Sequence, residues 1–111
     1  RFENFVASHL LKACHFWTDI GLGQYNLFFL RTKDRKEVDF LITKDEIPWI
    51  LVEAKLSNTK TLSKNLAYFH NQLATKHAFQ VAHNMPYIDK SCFDYTTPTV
   101  VPVSTFLSQL V

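Results

Sequence analysis

Three runs of strand length, Tyr25 to Thr32, Lys36 to Thr43 and Pro48 to Lys55, follow one another with little more than Lys33-Asp34-Arg35 and Lys44-Asp45-Glu46 between them. Parallel strands need a crossover of a dozen or more residues, so connectors this short predict an antiparallel meander. This excludes an all-helical fold and fixes the centre of whatever the chain builds. The second and third runs also carry charge in apolar surroundings: Asp39 lies within Val38-Asp39-Phe40-Leu41-Ile42, and Glu53 and Lys55 end Ile50-Leu51-Val52-Glu53-Ala54-Lys55. An unpaired charge is costly to bury, so these three residues need a reason.

The flanks complete the architecture. Phe2, Phe5, Val6, Leu10, Ala13 and Trp17 recur at three- and four-residue spacing and predict a helix over residues 2–18, stopped by Gly21 and Gly23. Leu62, Leu66, Phe69 and Leu73 predict a second helix with Thr61 or Ser63 as N-cap. Ala78 to Ala82 reads as a strand parallel to the third, reached by a right-handed crossover. Asn84 to Thr97 reads as a loop and Thr99 to Val101 as a last strand. Ser104 is placed as the cap of a short terminal helix carrying Phe106, Leu107 and Leu110. The expected order is helix, three strands, helix, strand, strand, helix, in one α/β domain with a mixed sheet over residues 1–111.

A chain of 111 residues supports one modest core. A net charge of +2 gives no global positive field, so a nucleic-acid partner requires a local basic patch. The candidates are Lys60 and Lys64 at the start of the second helix, where a helix N-terminus also favours phosphate. The bland reading is a solvated basic turn. Lys33, Arg35 and Lys36 read as a charged hairpin tip that discourages edge association. Cys14 and Cys92 read as buried free thiols, and no Cys or His spacing matches a zinc site. No stretch is apolar for long enough to span a bilayer, and a cytoplasmic setting is expected. The chain opens on an amphipathic pattern without Met and is read as a fragment of something longer.

Strand periodicity puts Glu53 and Lys55 on one face with Trp49 and Leu51, and Asp39 on one face with Glu37 and Leu41. A connector over Lys44 to Pro48 pairs Thr43 with Trp49, hence Asp39 with Glu53 and Glu37 with Lys55. Opposed Cβ atoms in such a pair lie about 5 Å apart, and two carboxylates so placed repel unless a proton or cation sits between them. Mg²⁺ suits such oxygens and retains several waters. Lys55 beside it would orient water and stabilise charge growing on a phosphate oxygen. The competing reading is a charged ladder on a solvated sheet face, against which Trp49 and Leu51 argue.

At these residues the chain resembles the PD-(D/E)XK nuclease superfamily, the restriction-endonuclease-like fold, with Val38 where the superfamily name has Pro. The resemblance implies that Asp39, Glu53 and Glu3 bind Mg²⁺ or Mn²⁺, that Lys55, Glu53 and Asp39 are catalytic, and that DNA is the partner. More narrowly, Arg1-Phe2-Glu3-Asn4-Phe5-Val6-Ala7-Ser8-His9-Leu10, Glu37-Val38-Asp39-Phe40, Val52-Glu53-Ala54-Lys55 and Val101-Pro102-Val103 look like a C-terminal domain of unknown function. That domain follows an AAA+ ATPase module in a prokaryotic family. The resemblance leaves two functions open: metal-dependent phosphodiester hydrolysis or DNA binding, and a non-catalytic interaction or regulatory domain of the ATPase.

Overall fold

Lys44 to Ile47 close a two-residue turn, tighter than the sequence suggested. In the computed structural model, which describes residues 1–31, 37–56 and 61–110, Lys44 pairs with Ile47, and both Asp45 (φ 53°) and Glu46 (φ 69°) are left-handed. Two successive positive φ values make the two-residue hairpin turn whose twist matches that of the strands it joins. Asp45 suits the position: its Oδ1 accepts the Gln24 N–H at 2.9 Å and its own N–H donates to the Gln24 carbonyl at 2.8 Å. Glu46 is exposed and meets the ordinary penalty for a side chain in this region. Glu46→Gly is therefore expected to stabilise the protein by about 1 kcal/mol, read as a higher urea midpoint at unchanged slope. An unchanged or lower midpoint would contradict the strain.

Among the described residues the elements are α1 (Phe2–Asp19), β1 (Tyr25–Arg31), β2 (Glu37–Lys44), β3 (Ile47–Lys55), α2 (Lys64–Leu73), β4 (His77–Ala82), β5 (Thr99–Pro102) and α3 (Val103–Ser108), with a 3-10 turn at Cys92–Asp94. The five strands form one sheet in the order β1-β2-β3-β4-β5. β1, β2 and β3 are the antiparallel meander, and β4 and β5 continue it in parallel. The result is a single mixed α/β domain.

Two cores flank the sheet. Val6, Leu10, Ala13 and Trp17 of α1 pack with Phe106 and Leu110 on Phe40, Ile42, Ile50, Val52, Phe79 and Val101. Leu66 and Phe69 of α2 cover Val38, Leu41, Leu51 and Ala78 on the other side. Every residue of β4 is buried, as a central strand covered on both faces must be. Cys14 and Cys92 are free and buried, as expected, and burial pushes the Cys14 thiol up to about 11.

Helix ends follow their local chemistry. Past α1, Gly21 takes φ 86°, the Leu22 N–H reaches the Trp17 carbonyl, and the Gly21 N–H reaches that of Thr18. This is the paired-bond termination that glycine favours. Ser63, not Thr61, caps α2: its Oγ accepts the Leu66 N–H at 3.3 Å. Leu62 lies outside the helix and is exposed. Ser104 is not the cap of α3. The cap position is Pro102 and Ser104 is already inside the helix, because Pro102 carries the strand directly into the first turn with its φ preset at −65°.

Two bulges break the period-two alternation. Ile42 pairs with Ile50 but Thr43 with Pro48, which leaves Trp49 as an extra residue and corrects the expected Thr43–Trp49 pair. The bulge turns Trp49 away from the Leu51 face and onto the α1 side, against Trp17 and Tyr25. On the other edge of β2, Phe28 pairs with Leu41 and Leu30 with Val38, so Asp39 and Phe40 together oppose Phe29.

Candidate functional site

Asp39 sits in the second of these bulges, at the point where β2 and β3 part. The ladder pairs Ile42 with Ile50, Leu41 with Leu51 and Phe40 with Val52, and ends there. One place further on, the Asp39 side chain takes over from the backbone, and its Oδ2 accepts the Ala54 N–H at 2.8 Å. The carboxylate is thus inserted where a backbone carbonyl would otherwise continue the sheet. Bulges commonly re-aim a side chain in this way. Glu37 does not face Lys55 as expected. It pairs with Arg31 across β1, with Arg31 Nε 3.4 Å from its Oε2, because β2 has already left β3.

Glu3, in the first turn of α1, brings its carboxyl to Asp39 from above the sheet. Burial pushes the Asp39 carboxyl up from 3.8 to about 7. The hydrogen-bonded Glu3 carboxyl adds to the rise, the Ala54 N–H opposes it, and the charges of Glu3 and Glu53 raise it further. A small cavity of about 140 Å³ opens here, lined by Glu3, Glu37, Val38, Asp39, Phe29 and Arg31.

Glu53 is 9% exposed. Its Oε2 meets Lys55 Nζ at 3.1 Å. Among the described residues its Oε1 is buried with no hydrogen-bond partner. A buried carboxylate oxygen without a donor is costly, and native proteins seldom leave one without a use. Beside Glu53, its parallel partner on β4 is Gln80, wholly buried. Gln80 Oε1 accepts the Ser63 N–H at 2.8 Å and its Nε2 donates to the Thr61 carbonyl at 3.0 Å. Sequence reasoning passed over Gln80. The signal was present, since it is the polar residue within Ala78-Phe79-Gln80-Val81-Ala82.

The structure therefore gathers Glu3, Asp39, Glu53 and Lys55 at one end of the meander. Lys64 is exposed at the start of α2; Lys60, Lys33, Arg35 and Lys36 lie outside the described residues. The donor chemistry of Asp39 and Glu53 suits a hard divalent cation: all oxygen, one atom orphaned among the described residues, and a carboxyl whose ionisation is opposed first by burial and then by neighbouring carboxyls. Among the described residues no group of three or more His, Cys, Asp or Glu side chains is placed to hold a metal ion, Glu3, Asp39 and Glu53 together included. An ion of the Mg²⁺ type needs only one or two carboxylates with water completing its shell.

A family model described as a domain of unknown function (DUF4143) matches residues 1–105. No curated protein and no solved structure matches the chain. Among the described residues no helix is long and apolar enough to cross a membrane.

Proposed function

The chain belongs to the DUF4143 family, a domain of unknown function, and on that premise we propose that it is a nuclease-like domain of the PD-(D/E)XK, restriction-endonuclease-like kind, accessory to an AAA+ ATPase, which hydrolyses or holds DNA with Mg²⁺ or Mn²⁺. The observation that carries this reading is the excess of negative charge at the parting of β2 and β3. Glu3 and Glu53 both act on Asp39, Lys55 pairs with Glu53, and among the described residues one buried oxygen of Glu53 goes without a partner.

Asp39 and Glu53 would hold the ion, with Glu3 supporting it. When bound, it supplies water activation and polarisation of the phosphodiester. The chain's own residues do the rest. The Ala54 N–H fixes the direction of the Asp39 carboxylate. Glu53 Oε2 anchors Lys55 Nζ, leaving the ammonium, on a side chain 40% exposed, free to donate to a water or a phosphate oxygen. Lys64, at the N-terminus of α2, is available to a backbone phosphate.

A second reading is a non-catalytic interaction or regulatory domain on the same scaffold. It draws on the Lys55–Glu53 ion pair, which neutralises part of the cluster without a metal. Incubation with supercoiled and single-stranded DNA in Mg²⁺ or Mn²⁺ tests the first reading. Cleavage should depend on the metal and fall by at least about 100-fold in Glu53→Ala. No cleavage and no metal-induced rise in melting temperature would leave the second reading standing, and equal cleavage by the variant would trace the activity to a contaminant.

A further inference from the structure

At the opposite end of β3 from Glu53, the bulge that turns Trp49 inward helps build a cavity of about 290 Å³ with no part in the reading above. Its walls are largely aromatic, completed by Leu22, Leu110 and Gln109. Trp17, Tyr25 and Trp49 meet one another edge-on or tilted, with centroids 5.1 to 5.7 Å apart. Phe93 lies nearly parallel to Trp49, and the His77 ring stands edge-to-face against Phe93. These rings come from α1, β1, β3, β4 and the 3-10 turn, so the cavity exists only in the folded chain. Pockets that hold whole drug-sized ligands run from about 300 to 1,000 Å³, and this one, at the lower bound, suits a single ring system.

The polar features narrow the ligand. His77 Nδ1 lies 2.7 Å from the Tyr95 carbonyl oxygen, so it carries the proton and donates it. Burial holds the imidazole below its ordinary pKa, against the pull of that carbonyl. The ring is then neutral, and its other nitrogen is an acceptor on a group that lines the cavity. Among the described residues Lys76 is the one formally charged lining residue; it is exposed, and its backbone N–H is anchored to the Trp49 carbonyl at 3.0 Å. Lys44 adds a second cation nearby, its Nζ 5.8 Å from the centroid of the Tyr25 ring. Flat hydrophobic walls, a hydrogen-bond acceptor and a cation at the rim complement a planar heteroaromatic ring that bears N–H groups and is tethered to an anion. A methylated ammonium, the other common guest of aromatic cages, would meet Lys76 with like charge.

We propose that this cavity is a nucleotide-binding subsite that stacks one base on its aromatic walls and meets the attached phosphate with Lys76.

The chain's two tryptophans both line the cavity, so intrinsic fluorescence reports occupancy. Titration with nucleoside 5′-monophosphates should quench it saturably, and the matching nucleosides should bind about 10-fold more weakly. Inorganic phosphate alone should not quench. Lys76→Ala, at an exposed position, should bring the nucleotide down to the nucleoside's affinity and leave the nucleoside unchanged. Phe93→Leu should weaken both, with the melting temperature checked separately. Absence of saturable quenching by any nucleotide overturns the proposal. So does equal binding of a capped phenylalanine amide, which would mark a pocket for an aromatic side chain of a protein partner. So does a Lys76→Ala variant that binds nucleotide as tightly as the parent.

Discussion

Asp39→Asn is expected to make the protein more stable at neutral pH while abolishing its response to divalent metal. The folded protein holds this carboxyl at about 7 against an ordinary 3.8, chiefly by burial and by the Glu3 carboxyl. Folding therefore favours the neutral form. The stability linked to it is complete below about pH 4 and is lost as pH rises through about 7. Asparagine keeps the Oδ acceptor for the Ala54 N–H but has no charge to lose. Because Asp39 is only half-buried, solvent screening reduces the effect, and about 1–2 kcal/mol is the expected gain at pH 7 to 8. Urea denaturation of parent and variant across pH 4 to 8 should show curves that coincide at the acid end and diverge toward neutrality. Adding Mg²⁺ at pH 8 should close the gap by stabilising the parent alone, and at pH 5 it should do little for either. A gap independent of pH would mean that Asp39 titrates as an ordinary surface carboxylate. A parent that ignores Mg²⁺ at pH 8 would remove the support for an ion between Asp39 and Glu53.

Gln80→Leu carries the largest expected loss of stability. Leucine resembles glutamine in size and suits an apolar strand, so hydrophobicity alone predicts a gain. The gain does not survive the loss of both amide bonds, to the Ser63 N–H and to the Thr61 carbonyl, at a position that is 0% exposed. Removing one partner of a buried hydrogen bond costs about 1–3 kcal/mol, and here two are removed, so about 2–4 kcal/mol is expected. The damage should centre on α2, whose entry the amide fixes through Ser63. Hydrogen exchange should show lost protection at Leu66 and Ala67 before the β2–β3 ladder is affected. A loss below about 1 kcal/mol would mean that water or a neighbouring group replaces the amide.

The meander was legible because connectors too short for a crossover leave a single pairing, and the α1 stripe because Phe2, Val6, Leu10, Ala13 and Trp17 keep one period, although Phe5, read as part of that stripe, lies off the buried face and is 50% exposed. What could not be read was where each strand breaks its own alternation. Trp49 and Asp39 sit at one-residue bulges, and a bulge inverts the faces of everything beyond it without leaving a mark in composition. Trp49 therefore moved to the α1 face and Glu37 to Arg31, while the intervening pairs, Phe40 with Val52 among them, kept the expected register. The site residues Asp39, Glu53 and Lys55 stood out as charges in apolar strands, and their gathering with Glu3 depended on that preserved register. Gln80 was hidden because an uncharged amide in a buried strand raises no electrostatic alarm, although it needs partners as much as a carboxylate does. Ser104 misled because a serine before an apolar run resembles a cap, yet Pro102 had already set the chain in the helical direction.

The two sides of the sheet assign different moments in folding to different stretches of the chain. The α2 side draws its buried residues from one central stretch of the chain, Val38 to Ala78. The α1 side joins Val6 and Leu10 to Phe106 and Leu110, and the indole N–H of Trp17 donates to the Leu110 carbonyl across 93 residues. Closing loops of that span is the slow part of such a search. The central strands and α2 are thus expected to assemble first as a unit, with both chain ends docking afterwards over the exposed face. Trp17 and Trp49 both belong to the late side, so refolding followed by tryptophan fluorescence should lag behind refolding followed by backbone circular dichroism; coincident traces would mean that both faces close together.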